Sequence, residues 1–237
     1  MSKVYVVTSG KGGVGKTTLT ANLSAAMSLN GHKTLVVDMD VGLRNLDVIM
    51  GMENRIVYNL IDVLEGKCRI NQAIIKSHRN PNLFLLPAAQ GKTKDDIDAE
   101  QIYKLLYLLR NEFDYIFLDC PAGIEKGFIN SCRYADEAIL VVTPDVASVR
   151  DADRVLGILT DMDIPCTKLV INKYRKIMAF TKDSLKDKDI EQILGLKVVG
   201  LIPESKIVIK NNNHGAYSLF SITSVSTAFK QLAGILE

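Results

Sequence analysis

The sequence contains no tryptophan and is poor in other aromatic residues, in proline and in cysteine. Its 237 residues include 6% aromatics, 6 Pro and 4 Cys. The cysteines at positions 68, 120, 132 and 166 form no CxxC pair, which argues against a disulfide scaffold and against a zinc ribbon. We therefore expect reduced cysteines that act as small buried hydrophobic residues.

Long hydrophobic runs and an excess of charge of one sign are also absent. No segment approaches the ~20 apolar residues that span a bilayer. The apolar stretch near Met1 is too short for a signal peptide, so we expect a cytoplasmic protein. Lys and Arg total 29 against 27 acidic residues, a formal charge of +2, which gives no reason to expect a strongly basic nucleic-acid surface.

Short apolar segments alternate with amphipathic ones along the chain. The predicted strands are Val4–Thr8, Thr34–Val37, Leu83–Leu86, Tyr115–Leu118, Ala138–Val142, Lys168–Ile171 and Val198–Ile202. The predicted helices are Thr18–Leu29, Ala99–Asn111, Ser148–Met162 and Asp189–Leu194. Strands that are apolar throughout are typical of a parallel sheet covered on both faces. Without repeats or linkers, the sequence predicts one doubly wound α/β domain over residues 1–237, with a mostly parallel sheet and helices on both faces.

Two segments, Asp40–Asn59 and Lys210–Ser224, break these patterns and are predicted as loops. The final segment, Ser226–Glu237, has an apolar stripe at helical spacing, and Lys230 is its only basic residue. A membrane-surface helix should carry several Lys or Arg on its polar face. We therefore expect a helix packed in the fold rather than a basic membrane helix.

A glycine-rich segment follows the first predicted strand and satisfies the pattern G-x-x-x-x-G-K-[ST] from Gly10 to Thr17. Glycines permit backbone conformations in which successive N–H groups surround phosphate oxygens. Lys16 supplies a cation to the β and γ phosphates, and Thr17 a hydroxyl ligand for Mg²⁺. The predicted ATP-binding residues here are Gly10, Lys11, Gly12, Gly13, Val14, Gly15, Lys16, Thr17 and Thr18.

Acidic residues end two of the predicted strands, where a phosphate site needs them to hold the metal and orient water. Asp119 follows the apolar strand Tyr115–Leu118, and Asp38 and Asp40 end the second strand. Alternation places Asp38 and Asp40 on the same side of an extended chain. We predict that Asp38 and Asp119 hold hydrated Mg²⁺ with Thr17, and that Asp40 approaches the phosphates.

The segment Lys-Gly-Gly-Val-Gly-Lys-Thr at residues 11–17 resembles the deviant Walker A motif of the ParA/MinD ATPases, whose signature is the additional lysine, here Lys11. Segments 38–47, 53–58 and 119–123 are similar to those of family members that regulate the cell-division site. The resemblance runs through nearly the whole chain. It also places Cys120 at the position that follows the Walker B aspartate, which requires no redox role.

The resemblance implies a Mg²⁺-dependent ATPase that forms a homodimer when ATP is bound. Lys11 would reach the phosphates of the other subunit, and Asp40 would position or activate the lytic water. Asn172 and Pro203 would frame the adenine. Residues 42–57 would form a switch region, with Asn45 near the dimer interface. The catalytic residues implied are Lys11, Lys16 and Asp40.

Partners follow from the same resemblance. We expect two partners, a MinC-like inhibitor of division-ring assembly and a MinE-like or other topological regulator that stimulates slow hydrolysis. Both are expected near the charged face of residues 148–162 that includes Asp151. Division-site members of the family usually end in a basic amphipathic helix that lies on the membrane. No such helix is evident here, so peripheral membrane association would need an anchor beyond Glu237 or one supplied by a partner.

Three other functions remain open from the sequence. A regulator of flagellar number would share the same chemistry and differ only in its partners. A DNA-partitioning ATPase should display a basic stripe, which the near-neutral charge does not favour. A relative of nitrogenase reductase would need cysteines placed for a cluster at a dimer interface, whereas Cys120 follows a metal-binding acid.

Overall fold

The computed structural model describes residues 2–41, 45–90, 98–175, 185–220 and 223–237. Within these ranges the strands form one sheet. They are β1 (Lys3–Thr8), β2 (Thr34–Asp38), β3 (Ile75–Lys76), β4 (Leu83–Leu86), β5 (Tyr115–Asp119), β6 (Glu137–Val142), β7 (Cys166–Tyr174) and β8 (Val198–Pro203). The spatial order is β3-β4-β2-β5-β1-β6-β7-β8. Every neighbouring pair is parallel except β3 with β4.

Helices cover both faces of this sheet. They are α1 (Lys16–Leu29), α2 (Leu46–Met50), α3 (Leu60–Leu64), α4 (Ile70–Ala73), α5 (Ala99–Leu109), α6 (Lys126–Cys132), α7 (Val146–Asp161), α8 (Asp187–Leu194), α9 (Lys206–Asn213) and α10 (Ser224–Leu236). Apolar residues of α1, α2 and α10 share one core layer, and those of α5, α7 and α8 share the other. The architecture is the doubly wound α/β fold expected from the sequence.

Alternation along β1 shows how one sheet supports two cores. Val4 and Val6 contribute to the layer under α5 and α7, whereas Tyr5 and Val7 contribute to the layer under α1 and α10. Successive side chains point to opposite faces of a strand, so a strand covered on both sides must be apolar at every position. β1 also lies at the centre of the sheet, between β5 and β6, so the loop that follows it lies at the middle of the carboxyl edge.

All seven predicted strands are confirmed, with ends shifted by a few residues. The prediction of two long loops was wrong. The segment 40–59 contains α2 and a 3₁₀ turn at Glu53–Arg55, and the segment 210–224 holds the end of α9 and a 3₁₀ turn at Ser218–Phe220. The helix α2 and the two 3₁₀ turns are too short to show a 3.6-residue period. The helix α2 is stabilised mainly because Leu46 and Met50 are buried in the core.

The helix α10 is packed in the fold, as expected. Its side chains Phe229, Leu232 and Ala233 are buried in the layer that also contains residues of α1. The apolar face, which a membrane-surface helix would turn toward lipid, is therefore buried in the core of the protein. Among the described residues, no helix has both the length and the apolar character needed to cross a membrane.

Candidate functional site

The glycine-rich loop connects β1 to α1 and wraps the N-terminal end of that helix. Gly13 has φ +77° and Gly15 has φ +98°, both in the left-handed region where a side chain is strained. Gly15 is the N-cap of α1, and its carbonyl accepts the N–H of Leu19 at 2.9 Å. The first N–H groups of α1 therefore face the loop, which is the arrangement that binds an anion at a helix N-terminus.

Gly10 brings the loop into direct contact with the backbone of α7. A Cβ atom built on Gly10 would lie 2.2 Å from both the carbonyl carbon and the carbonyl oxygen of Asp151. Since both neighbours are backbone atoms, the helix could not accommodate a side chain without moving. The position therefore requires glycine for close approach rather than for its φ angle.

We predict that Gly10→Ala lowers nucleotide affinity by about tenfold or more, because overpacking of 1–3 kcal/mol must be relieved by moving the loop away from α7. Titration calorimetry with Mg-ATP measures the affinity. Gly157→Ala on α7 is the matched control, since a Cβ atom there meets nothing within 4 Å. Equal losses in the two variants would contradict this reason.

Two carboxylates lie beneath the loop at the ends of adjacent strands. Asp38 and Asp119 are paired in register on β2 and β5, and each side chain is 1% exposed. Asp119 accepts a hydrogen bond from the Thr20 hydroxyl at 2.9 Å and another from Thr17. Asp38 accepts the Asp40 N–H at 3.0 Å, which fixes the turn after β2. The predicted metal residues Thr17, Asp38 and Asp119 are thus brought together.

Burial disfavours the ionised form of both acids. It raises the pKa of Asp119 to about 6, against the hydrogen bonds from Thr17 and Thr20 and the charge of Lys16, which lower it. Burial and the neighbouring Asp119 raise the pKa of Asp38 well above its usual range. A divalent cation near the pair would stabilise the carboxylates, since a bound cation reverses the local pKa preference.

The donor set fits a magnesium ion that arrives with its ligand. Among the described residues, no group of three or more His, Cys, Asp or Glu side chains could hold a metal ion without other ligands. Mg²⁺ is commonly bound through one or two carboxylates together with water and phosphate oxygens. A hydroxyl and two buried carboxylates below a phosphate-binding loop match that mode.

A cleft of about 950 Å³ opens over the loop. We call the part of the cleft that is lined by Lys16, Thr17, Asp40 and Asn45 the phosphate end, because the predicted phosphate loop contributes to it. Asn172 and Pro203, predicted to frame the adenine, line the same cleft. Val48 and Ile49 of the predicted switch region line it too, as do Asn212 and Asn213 of the segment 210–224. Sequence reasoning missed three lining residues of α9 and the turn before it: Ser205, Val208 and Ile209.

Asn172 also braces the glycine-rich loop. Its amide Nδ2 donates to the Val14 carbonyl at 2.7 Å, and its Oδ1 accepts the Lys173 N–H at 2.9 Å. Lys173 has φ +55° and its Nζ donates to the Gly13 carbonyl at 2.7 Å. A strained non-glycine backbone next to a site is a common functional feature. The end of β7 therefore supports the loop besides lining the cleft.

Lys11 lies outside the cleft of its own chain. Its Nζ is 3.3 Å from Asp145 Oδ1, and both side chains are more than 40% exposed. The pair lines a second cavity of about 380 Å³ that also includes Lys173, Arg175 and Glu204. Partial burial raises the pKa of Asp145, but hydrogen bonds from Thr143, from the Ser148 N–H and from Lys11 outweigh it and hold that pKa below its usual range. No sequence motif identified Asp145 as a partner of Lys11.

The remaining predicted residues lie around these openings. Asn45 is exposed and lines the cleft over the glycine-rich loop. Asp151 is half-buried on α7, and its backbone contacts Gly10. Of the predicted switch region, residues 42–44 lie outside the described residues, and the rest is α2 with the turn that follows it.

Residues 5–219 match the family described as "CobQ/CobB/MinD/ParA nucleotide binding domain". The chain is 50% identical over 215 residues to the putative septum site-determining protein MinD of Guillardia theta, covering 91% of this chain and 80% of the relative. It is 46% identical over 239 residues to septum site-determining protein MinD of Synechocystis, covering 100% of this chain and 90% of the relative. This chain belongs to the MinD family.

Solved structures agree with MinD membership. A chain of the MinC:MinD cell division protein complex of Aquifex aeolicus is 43% identical, with a TM-score of 0.93 over 99% of this chain and 95% of that one. MinD of Pyrococcus horikoshii complexed with Mg-ADP is 26% identical, with a TM-score of 0.90 over 100% of this chain and 96% of that one. The chain is thus a MinD-like protein of division-site placement within a P-loop ATPase family, which supports a nucleotide and Mg²⁺ as its ligands.

Proposed function

We propose that this MinD-like chain is an ATP-gated switch. Two ATP-loaded subunits associate, the dimer recruits a division inhibitor, and slow Mg²⁺-dependent hydrolysis of ATP to ADP and phosphate releases the dimer. Charge placed at the transferring phosphate governs phosphoryl transfer, and an additional cation there accelerates it by about 10³–10⁵-fold. A switch of this kind keeps hydrolysis slow until the missing cation arrives.

The position of Lys11 is the observation that carries this proposal. Its side chain is exposed, is paired with Asp145 and lines the second cavity instead of the cleft over its own loop. An exposed ion pair is worth only about 0–1 kcal/mol, so Lys11 can leave Asp145 at little cost. The same lysine is then available to the phosphates of a second subunit that faces the cleft.

Within one subunit, Lys16 and Asp40 divide the chemistry. Lys16 is 7% exposed at the start of α1 and lines the phosphate end of the cleft. Asp40 lines that end from the turn after β2, and its backbone is fixed by the bond to Asp38. A carboxylate at this place orients an attacking water and accepts its proton, while bound Mg²⁺ neutralises charge on the phosphate oxygens.

We predict that Mg-ATP doubles the mass of an Asp40→Ala variant, in which hydrolysis is blocked, and that ADP does not. Adding Lys11→Ala to this variant abolishes the dimer, because the cation that crosses the interface is lost. Light scattering after size-exclusion chromatography measures the mass.

A second variant separates this role from local damage. Asp145→Asn removes the charge that holds Lys11 in the free subunit but keeps Lys11, so the dimer must still form. A mass that never changes with ATP, or a dimer that survives Lys11→Ala, would show that the proposed switch is wrong.

The recruited partners are proposed to bind near α7. The A. aeolicus structure contains MinC with MinD, and we extend a MinC-like inhibitor, together with a MinE-like regulator of hydrolysis, to this chain. Asp151 carries this proposal since it lies on α7 where the helix backbone touches Gly10. A partner bound there contacts the helix against which the phosphate-binding loop is packed.

A further inference from the structure

Two short elements form adjacent walls of the nucleotide cleft. On one wall, α2 contributes Val48 and Ile49, close to Asp40 and Asn45 at the phosphate end. On the other wall, α9 follows Pro203 and contributes Val208 and other apolar and amide side chains. The two walls are far apart in sequence, so any relation between them depends on tertiary contact.

That contact is made by two glycines. Gly51 ends α2 with φ +65°, and Gly215 follows α9 with φ +57°. A Cβ atom on Gly51 would lie 2.6 Å from the Gly215 carbonyl oxygen. A Cβ atom on Gly215 would lie 2.5 Å from the Gly51 Cα and 3.1 Å from the Val48 carbonyl oxygen. The backbones therefore touch with no side chain between them.

One hydrogen bond joins the two segments beside this contact, and two others hold the turn at Gly215. The Tyr217 hydroxyl donates to the Met50 carbonyl at 3.4 Å. Arg79 donates to the Gly215 carbonyl. The Ala216 N–H donates to the Asn211 carbonyl at 2.9 Å, which ties the turn to the end of α9. A displacement of α2 is therefore transmitted to α9, because packed backbone has no flexible side chain to absorb it.

We propose that Gly51 and Gly215 are positioning residues that couple the phosphate end of the cleft to its base-binding wall. A phosphate group that orders α2 thereby orders α9, so the fit around the base depends on the phosphates present. This inference rests on the proposed function, since it takes the cleft as the nucleotide site. Allosteric coupling of this kind is typically worth about 5–150-fold in affinity.

The test uses a ligand that has phosphates and no base. Hydrogen exchange of the full chain is measured with and without inorganic tripolyphosphate and Mg²⁺. We expect the ligand to protect residues 9–18 directly and to slow exchange in residues 206–213, on the α9 wall, by about fivefold or more. In Gly51→Ala the protection of residues 9–18 remains and that of residues 206–213 is lost.

Gly195→Ala is the matched control. Gly195 also ends a helix with φ +65°, but a Cβ atom there meets nothing within 4 Å, so this variant carries the same backbone strain without the steric conflict. It must keep the protection of residues 206–213. Circular dichroism monitors folding. If Gly51→Ala does not fold, Tyr217→Phe serves instead, since it removes the hydroxyl that bonds to Met50 and to Ser77 and should reduce the protection partly.

The outcomes separate the two proposals. If residues 9–18 are not protected, the phosphate site itself is wrong and the coupling falls with it. If they are protected and residues 206–213 are not, or if both glycine variants keep the protection of α9, the coupling alone is wrong. Asn212→Ala removes a direct link from α9 to the first turn of α1, a 2.9 Å bond from Asn212 to the Thr18 hydroxyl. Loss of protection only in that variant would likewise overturn the role of the glycines.

Discussion

Lys16→Ala is expected to lower kcat for ATP hydrolysis by about 10²–10³-fold or more, the cost of removing one preorganised charged group from a transition state. Lys16 is buried at the loop, so no solvent cation replaces its charge at the same place. The initial rate of phosphate release at saturating Mg-ATP measures the loss, and titration calorimetry measures the weaker binding that accompanies it.

Lys104→Ala is the matched control for this variant. Lys104 is on α5 and forms an exposed i,i+4 ion pair with Glu100 at 3.0 Å, so its loss should change stability by no more than about 0.5 kcal/mol and leave kcat unchanged. A second readout concerns Asp119, whose pKa is lowered by the charge of Lys16. That pKa should rise further in Lys16→Ala. Hydrolysis at the normal rate in Lys16→Ala would exclude this loop as the site of chemistry.

Asp119→Asn is expected to stabilise the ligand-free protein and to abolish its response to Mg-ATP. Burial raises the pKa of Asp119 from 3.8 to about 6, and two units of pKa correspond to roughly 3 kcal/mol. The ionised carboxylate therefore costs the folded state that amount at pH 8, and the amide removes the cost. For a chain of this size we expect Tm to rise by roughly 5–10 °C.

The raised pKa of Asp119 also predicts how the stability gained by Asp119→Asn changes with pH. The folded state holds the proton more tightly than the unfolded state, so the stability contributed by Asp119 falls as pH rises from about 4 to about 6 and stays low above pH 7. The gain in Asp119→Asn should thus be largest at pH 8 and about half as large at pH 5. Differential scanning calorimetry at both pH values, with and without Mg-ATP, measures it.

Asp161→Asn at the exposed end of α7 is the control for charge removal alone, and it should change Tm by about 1–2 °C or less at either pH. Two results would contradict the view that Asp119 is a destabilising acid kept for metal binding. One is a lower Tm in Asp119→Asn at pH 8, and the other is a variant in which Mg-ATP still raises Tm as much as in the unmodified chain. A higher Tm together with a lost response to Mg-ATP would confirm it, since active sites commonly give up stability for function.

The sequence by itself determined the phosphate loop and seven of the eight strands that the structure describes, all but the edge strand β3. Each apolar strand is a local signal, since a segment without polar positions can be stable only when both faces are covered. The loop is equally local, because Gly13 and Gly15 supply backbone angles that other residues resist and Lys16 follows them directly. Asp119 could be predicted because it is the first charged residue after a buried strand.

Only the tertiary structure decided which residues complete the site. The ion pair of Lys11 with Asp145 joins residues 134 positions apart, and the contact of Gly51 with Gly215 joins two segments predicted as loops. Neither has a sequence pattern, because one exposed acid or one glycine is chemically like many others until the fold places it. Short helices such as α2 are stabilised by burial against the rest of the chain rather than by their own residues, so the walls of the cleft depend on the sheet against which they pack.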